Sequence, residues 1–242
     1  MTPPPGYVAY GGPGAASGAF QRIRGVSKAM VVLLWISVPL QLIALLGLVR
    51  LSHAARTFLD NPTPSAEQTF RDTARVNLSS LGTAVVLPIA VLTMIWMYRM
   101  AANLRRLDRQ GQTWAPGWGI AAWFVPPCAV YVVPWLMFKE LWKGSDPAIR
   151  PGDPDWKRAS VSPLVAMWWV LYGLVPLLGF FSNVGLITAV RSGMTINTLA
   201  ERLRDHFGID IALSLIGVGT TIVYIQLVRQ LSSRHMQSTL EA

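Results

Sequence analysis

The chain has 242 residues, of which 52% are hydrophobic and 14% charged. Soluble domains carry roughly 25% charged residues, so this shortfall, with the apolar residues gathered in blocks, excludes an ordinary water-soluble domain and makes lipid the solvent for much of the chain. The 21 Lys+Arg against 12 Asp+Glu leave a net charge of +9; the basic residues flank the apolar blocks and form no continuous stripe, so they read as loops facing an anionic leaflet and not as a nucleic-acid surface.

Residues 1–28 are rich in Pro, Gly, Ala and Ser. They offer too little apolar surface to offset the entropy of ordering, which predicts a disordered cytoplasmic tail. Pro4-Pro5-Gly6-Tyr7 matches the short pattern read by WW domains. Ala29–Val49 follows without a single charge. As a helix it covers about 31 Å, enough for a hydrocarbon core of ~30 Å. It is longer than a signal-peptide core and starts later, so a retained first span is expected.

Residues 52–80 are polar, with Arg56, Arg71 and Arg75 balanced by Asp60, Glu67 and Asp72. Asn61-Pro62-Thr63-Pro64 is a turn, and Ser65-Ala66-Glu67 reads as a helix start. Leu81–Met97 is the second span, kinked at Pro88 and continuing as a helix through Tyr98, Arg99, Asn103 and Arg106. Trp118–Phe138 is apolar but broken at Pro126-Pro127, since neither proline carries an N–H and the second biases the first away from helix. The two pieces reach about 12 and 16 Å as helices, which suits a re-entrant hairpin or one kinked span. Cys128, the single cysteine, excludes an intramolecular disulfide and a Cys-based metal cluster.

After a proline-punctuated polar segment, Leu164–Val190 is a long uncharged block. Residues 191–208 carry an amphipathic helical pattern. Ile211–Val228 is the last span, with Gly217 and Thr221 as a small face for close helix packing. A short cytoplasmic tail, 231–242, ends the chain. A weak repeat relates the halves: Val26-Ser27 and Arg56 recur as Val161-Ser162 and Arg191. The expected fold is therefore an all-α membrane domain over 29–230, with four transmembrane helices plus a Pro-broken, re-entrant central hairpin. Charge supports that count. Leaving aside Arg50 at a boundary, five spans divide Lys+Arg ten against ten, whereas four spans divide them 14 against six, with both termini on the positive, cytoplasmic side.

No zinc-protease, nucleophile-elbow or P-loop pattern is present. His53, His206 and His235 are scattered through polar segments, which predicts solvent exposure and not metal ligation. No acid lies deep in a span, which counts against a coupled ion pump. Neither cofactor nor metal is expected. The candidate motif is the central one: Tyr98, Arg99, Asn103, Arg106, Trp118, Trp123, Pro126, Glu140 and Trp142. Arg99, Asn103 and Arg106 fall on one helix face by their spacing. A returning hairpin would bring Glu140 to that face, where it could pair with Arg99 or Arg106 while Asn103 meets carbonyls at the proline break. The competing view is a set of aromatic-belt and headgroup contacts.

At these residues the chain resembles the mostly actinobacterial membrane proteins grouped as "domain of unknown function 4328". The resemblance rests on Tyr98-Arg99, Asn103-Leu104-Arg105, Pro116-x-Trp118, Trp123-Phe124-Val125-Pro126, Glu140-x-Trp142 and Ser145-Asp146-Pro147. It implies a multi-pass protein of the bacterial inner membrane and supplies no activity, cofactor or catalytic residue. The resulting expectation is a non-enzymatic scaffold, accessory or regulatory protein. Its partners would be anionic lipid headgroups and a membrane protein or a second copy of itself. The alternative is a small transporter or channel with its site at the broken helix.

Overall fold

The computed structural model describes residues 19–76, 79–125, 127–173 and 195–241. Among these residues every regular element is helical. In chain order they are α1 (Arg24–Asp60), α2 (Pro64–Arg75), α3 (Ser79–Arg106), α4 (Trp118–Ala121), α5 (Pro127–Gly144), a 3-10 turn (Pro154–Arg158), α6 (Pro163–Gly173) and α7 (Ile196–Thr239). Three of them, α1, α3 over Ala84–Arg106 and α7, are long and apolar enough to cross a membrane. The expected span Leu164–Val190 lies outside the described residues beyond Gly173, as do the tail motif at Pro4–Tyr7 and the site proline Pro126.

α1 and α7 are much longer than a bilayer requires, about 56 and 66 Å at 1.5 Å per residue. Each therefore carries helical turns beyond its apolar stretch. α1 starts at Arg24, inside the stretch read from sequence as tail, and α7 continues as far as Thr239. Both extensions follow from tertiary partners that a local reading of polarity cannot see.

The chain divides into two compact units. The first gathers the described residues up to Met30, Val91–Val165, and those from Leu227 onward. Its core holds Trp96, Met97, Met100, Leu104, Phe138, Leu141 and Leu231, all buried. Trp96 lies 6.0 Å from Phe138, ring to ring, and its indole N–H donates to Ser232 Oγ at 3.0 Å. Two glycines leave room for a close neighbour, a backbone at one and a side chain at the other. A Cβ on Gly119 would stand 2.6 Å from the backbone nitrogen of Tyr98, and one on Gly144 would stand 2.7 Å from Leu104 Cδ2.

The second unit holds Val31–Ala90 and Ala166–Gln226, as far as described. Of the polar segment 52–80, residues 52–60 continue α1 and Pro64–Arg75 form α2, and of the amphipathic segment 191–208, residues 196–208 belong to α7; residues 77–78 and 191–194 lie outside the described ones. Thr63 caps α2 by accepting from Ala66 N–H, and Pro64 fills the first helical position, where a missing N–H costs nothing. Phe70 of α2 stacks on Phe58 of α1 at 6.0 Å, with Ala55 and Ala200 buried against them. Farther along, Gln41 donates to Thr221 Oγ1 at 2.9 Å beside Gly217, so the small face of α7 is used for a polar contact with α1. Trp168 of α6 stacks on Tyr172 at 4.8 Å and on Tyr224 at 5.6 Å, ring to ring.

Candidate functional site: a buried polar knot

The first unit contains a set of polar side chains with almost no exposure: Asn103 and Ser145 at 0%, His235 at 0% and Arg109 at 3%. Burial without partners would cost several kcal/mol for each, so their bonds account for their presence. Asn103 sits three residues before the end of α3, Ser145 directly after α5, and His235 in the last turns of α7.

The orientation of Asn103 is fixed by backbone. Gln21 N–H donates to its Oδ1 at 2.8 Å, and its Nδ2 donates to the Gln21 carbonyl at 2.9 Å. The second Nδ2 proton points at Nε2 of His235, 3.1 Å away. That nitrogen must therefore accept, so the ring proton resides on Nδ1 and is donated to Ser145 Oγ at 2.8 Å. His235 lies beyond the apolar stretch 211–228, outside the span. Burial pushes its pKa from 6.5 down to about 3, and a proton on Nε2 would face the Asn103 donor instead of accepting from it. The expectation of an exposed histidine is thus corrected. His235 lies on a stripe of α7 with Val228, Leu231, Ser232 and Thr239, all buried, and the polar segment it belongs to is polar on one face only.

Arg109 forms the second part of the knot. Its guanidinium donates to the carbonyls of Gly144 (3.0 Å), Arg150 (2.7 Å), Ile149 (2.9 Å) and Asp146 (3.4 Å). The C-terminal carbonyls of a helix lack intrahelical partners and carry the negative end of its dipole. Arg109 satisfies them at the end of α5 and the turn that follows. Burial lowers its pKa, with Asp153 and Asp146 acting in the opposite direction. An arginine nevertheless remains charged in a protein. Arg234 pairs with Asp146 at 2.9 Å and lies over the Trp142 ring at 4.9 Å, which ties α7 to the same turn.

Glu140 has a different partner from the one expected. Its carboxylate accepts from Thr113 N–H (3.0 and 3.1 Å) and Trp114 N–H (3.2 Å), not from Arg99 or Arg106. Arg99 instead donates to the Arg22 carbonyl at 2.8 Å, and Arg106 donates to Asn103 Oδ1 at 3.4 Å. Nor does Asn103 reach carbonyls at the proline break. The three residues do share a face, but there Arg99 and Asn103 meet the extended segment leading into α1, and Arg106 meets Asn103. That segment has free backbone groups to offer, whereas the carboxylate of Glu140 is drawn to two unpaired N–H groups on a tight turn. Of the remaining motif residues, Tyr98 and Trp118 are exposed. Trp118 meets Trp114 edge to face at 5.4 Å, Trp123 is half-buried and Trp142 is buried. Sequence reasoning missed Gln21, Arg109, Ser145, Arg234 and His235 as participants. Only the buried stripe of α7 carried a local signal.

Ser145, His235 and Asn103 superficially resemble a nucleophile, base and orienting amide. Their hydrogen-bond direction is the reverse of what catalysis needs. A general base must take a proton from the serine, yet the nitrogen facing Ser145 already carries one, and the hydroxyl is closed off from solvent. Among the described residues no three His, Cys, Asp or Glu side chains stand together as a metal site.

These observations define an all-helical domain with three helices able to cross a membrane, whose helix ends are tied by a closed polar knot. Residues 60–233 match the family described as Domain of unknown function (DUF4328), and the chain belongs to that family. The match includes Asn103, Arg109 and Ser145 and stops two residues short of His235. No curated protein and no solved structure matches the chain.

Proposed function

We propose that this is a multi-pass protein of the bacterial inner membrane, with both termini cytoplasmic, acting as a non-enzymatic scaffold or accessory protein. One observation carries the reading. The only buried imidazole among the described residues has both nitrogens engaged in the wrong direction for base catalysis, and Glu140 and Arg109 are committed to backbone groups. The polar motif thus holds helix ends in register and leaves no reactive group aimed at a substrate.

The same contacts favour a re-entrant centre. Thr113 and Trp114 precede α4, Glu140 lies in the later part of α5, and the three are hydrogen-bonded. The segment between them leaves and returns to one place, which a single crossing would not do. With 118–138 re-entrant and Leu164–Val190 crossing, the chain has four spans and the 14-to-six charge bias applies. Labelling from outside the cell of cysteines placed at Ser160 and Ala242 tests this topology; both are expected to be protected, and labelling of either refutes it.

A second reading, a small transporter or channel, draws on a cleft of about 520 Å³ within the second unit, where Gln41, Asp210 and Ser214 stand among apolar side chains. Solute flux in proteoliposomes separates the two. Specific flux abolished by Asn103→Ala or Asp210→Asn would overturn the scaffold reading; unchanged background leakage is the expected result.

A further inference from the structure

The first unit has a second feature that the knot does not use. A cleft of about 860 Å³ opens where the chain enters α1, lined by Arg22, Arg24, Lys28 and Arg99 on one side and by Leu240 and Glu241 on another. None of the four cations pairs with a carboxylate among the described residues. Arg99 spends one donor on the Arg22 carbonyl and keeps the rest of its fork. Four like charges around one cleft repel each other, and an anion between them relieves that repulsion.

The one acid in the cleft is itself held in an unusual way. α7 ends in a turn in which Glu241 N–H reaches back to the Met236 carbonyl at 2.9 Å and Leu240 takes φ +54°, a conformation that a side chain with a Cβ adopts at some cost. This turn aims Glu241 at the start of α1, where it accepts from the N–H groups of Ile23 (3.0 and 3.1 Å) and Arg24 (3.0 Å). The helix end is therefore already capped by Glu241, and among the described residues no carboxylate is paired with the charged ends of the four cations. Lys28 directly precedes the apolar stretch 29–49, so the cleft lies at the level of lipid headgroups.

We propose that this cleft binds the phosphate of an anionic phospholipid headgroup, with Arg22, Arg24, Lys28 and Arg99 as its donors. The placement at headgroup level rests on the membrane topology proposed above, but binding in detergent does not depend on which face the cleft occupies. A wrong topology would therefore leave the lipid result standing, and the reverse also holds.

The test is native mass spectrometry of the full chain in mixed micelles containing phosphatidylglycerol or phosphatidylcholine, with inorganic phosphate as a competitor. The full chain should retain phosphatidylglycerol in preference to phosphatidylcholine. Each cation removed should weaken retention roughly fivefold, the equivalent of about 1 kcal/mol per basic residue. Arg22→Ala/Arg24→Ala keeps the Arg22 carbonyl that Arg99 uses and should abolish the preference. Glu241→Gln should strengthen retention by removing the one opposing charge. Arg158→Ala, at a cation outside the cleft, should change nothing. If the double variant does not fold, Lys28→Gln and Glu241→Gln, with opposite expected signs, decide the matter. Equal retention of the two lipids, an undiminished preference after the cleft cations are removed, or an equal loss in Arg158→Ala overturns the site. Displacement of the lipid by millimolar inorganic phosphate overturns the lipid as its occupant.

Discussion

Asn103 gives the second proton of its amide to Nε2 of His235, 132 positions along the chain, and that bond decides the protonation of the ring. The amide cannot be turned over, because its oxygen and its other proton are matched to the N–H and carbonyl of Gln21. His235 is therefore neutral with its proton on Nδ1, and four segments meet at it: the approach to α1 and the ends of α3, α5 and α7.

Stability should depend on pH through this ring. The folded pKa of about 3 lies below the 6.5 of an ordinary histidine, so the unfolded chain binds the extra proton between those values. The contribution is complete above pH 6.5 and is lost as pH falls toward 3, by about 1.4 kcal/mol per pH unit. Unfolding midpoints in detergent at pH 7.5, 6.0 and 4.5 should fall more steeply for the natural chain than for His235→Gln. Parallel curves would show that the ring does not titrate as buried.

Arg109→Lys should be far from conservative. One ammonium cannot reproduce a planar fork meeting carbonyls on both α5 and the turn after it. A loss of about 1.5–3 kcal/mol is expected, on the scale of hydrogen bonds to a charged group. Thermal melts check this, and an unchanged midpoint would remove Arg109 from the account.

The glycine contacts make a graded prediction. Gly119→Ala drives a Cβ into the Tyr98 backbone, which cannot yield without moving α4 off α3; about 1–3 kcal/mol of overpacking cost follows. Gly144→Ala meets the end of the Leu104 side chain, which can change rotamer, so its cost should be smaller. Comparing the two midpoints checks the order.

Glu140→Ala leaves the N–H groups of Thr113 and Trp114 without their acceptor and should cost about 1–2 kcal/mol. Glu140→Gln keeps a carbonyl oxygen there and should cost less. Since Glu140 and Arg99 have separate partners, Glu140→Ala and Arg99→Ala should add in the double variant. Clear non-additivity in their midpoints would restore a pairing between them.

Much of this was legible locally. The apolar blocks announced α1, α3 and α7, since lipid-facing helices leave a signal that needs no partner. The spacing of Arg99, Asn103 and Arg106 placed them on one face correctly. What they would meet was not legible, because Gln21 offers only its backbone, which no sequence pattern distinguishes. His235 was hidden by its setting. Its neighbours Arg234, Gln237 and Ser238 are polar, yet Tyr224, Val228, Leu231, Ser232, His235 and Thr239 recur at helical spacing and are buried. That stripe carries the buried face of α7 beyond the last span and is the available clue. Arg109 lies in a loop, where its four acceptors are fixed by the fold of another segment.

The most direct test of the knot is a double-mutant cycle on Asn103→Ala and His235→Ala, read as unfolding midpoints of the full chain in detergent. The two side chains share a bond and a common burial. Once one is gone, the other has already lost its partner, and the double variant should lose less than the sum by roughly 1–2 kcal/mol. Strict additivity, with each change acting as though the other residue were absent, would contradict the claim that these residues form one structural unit.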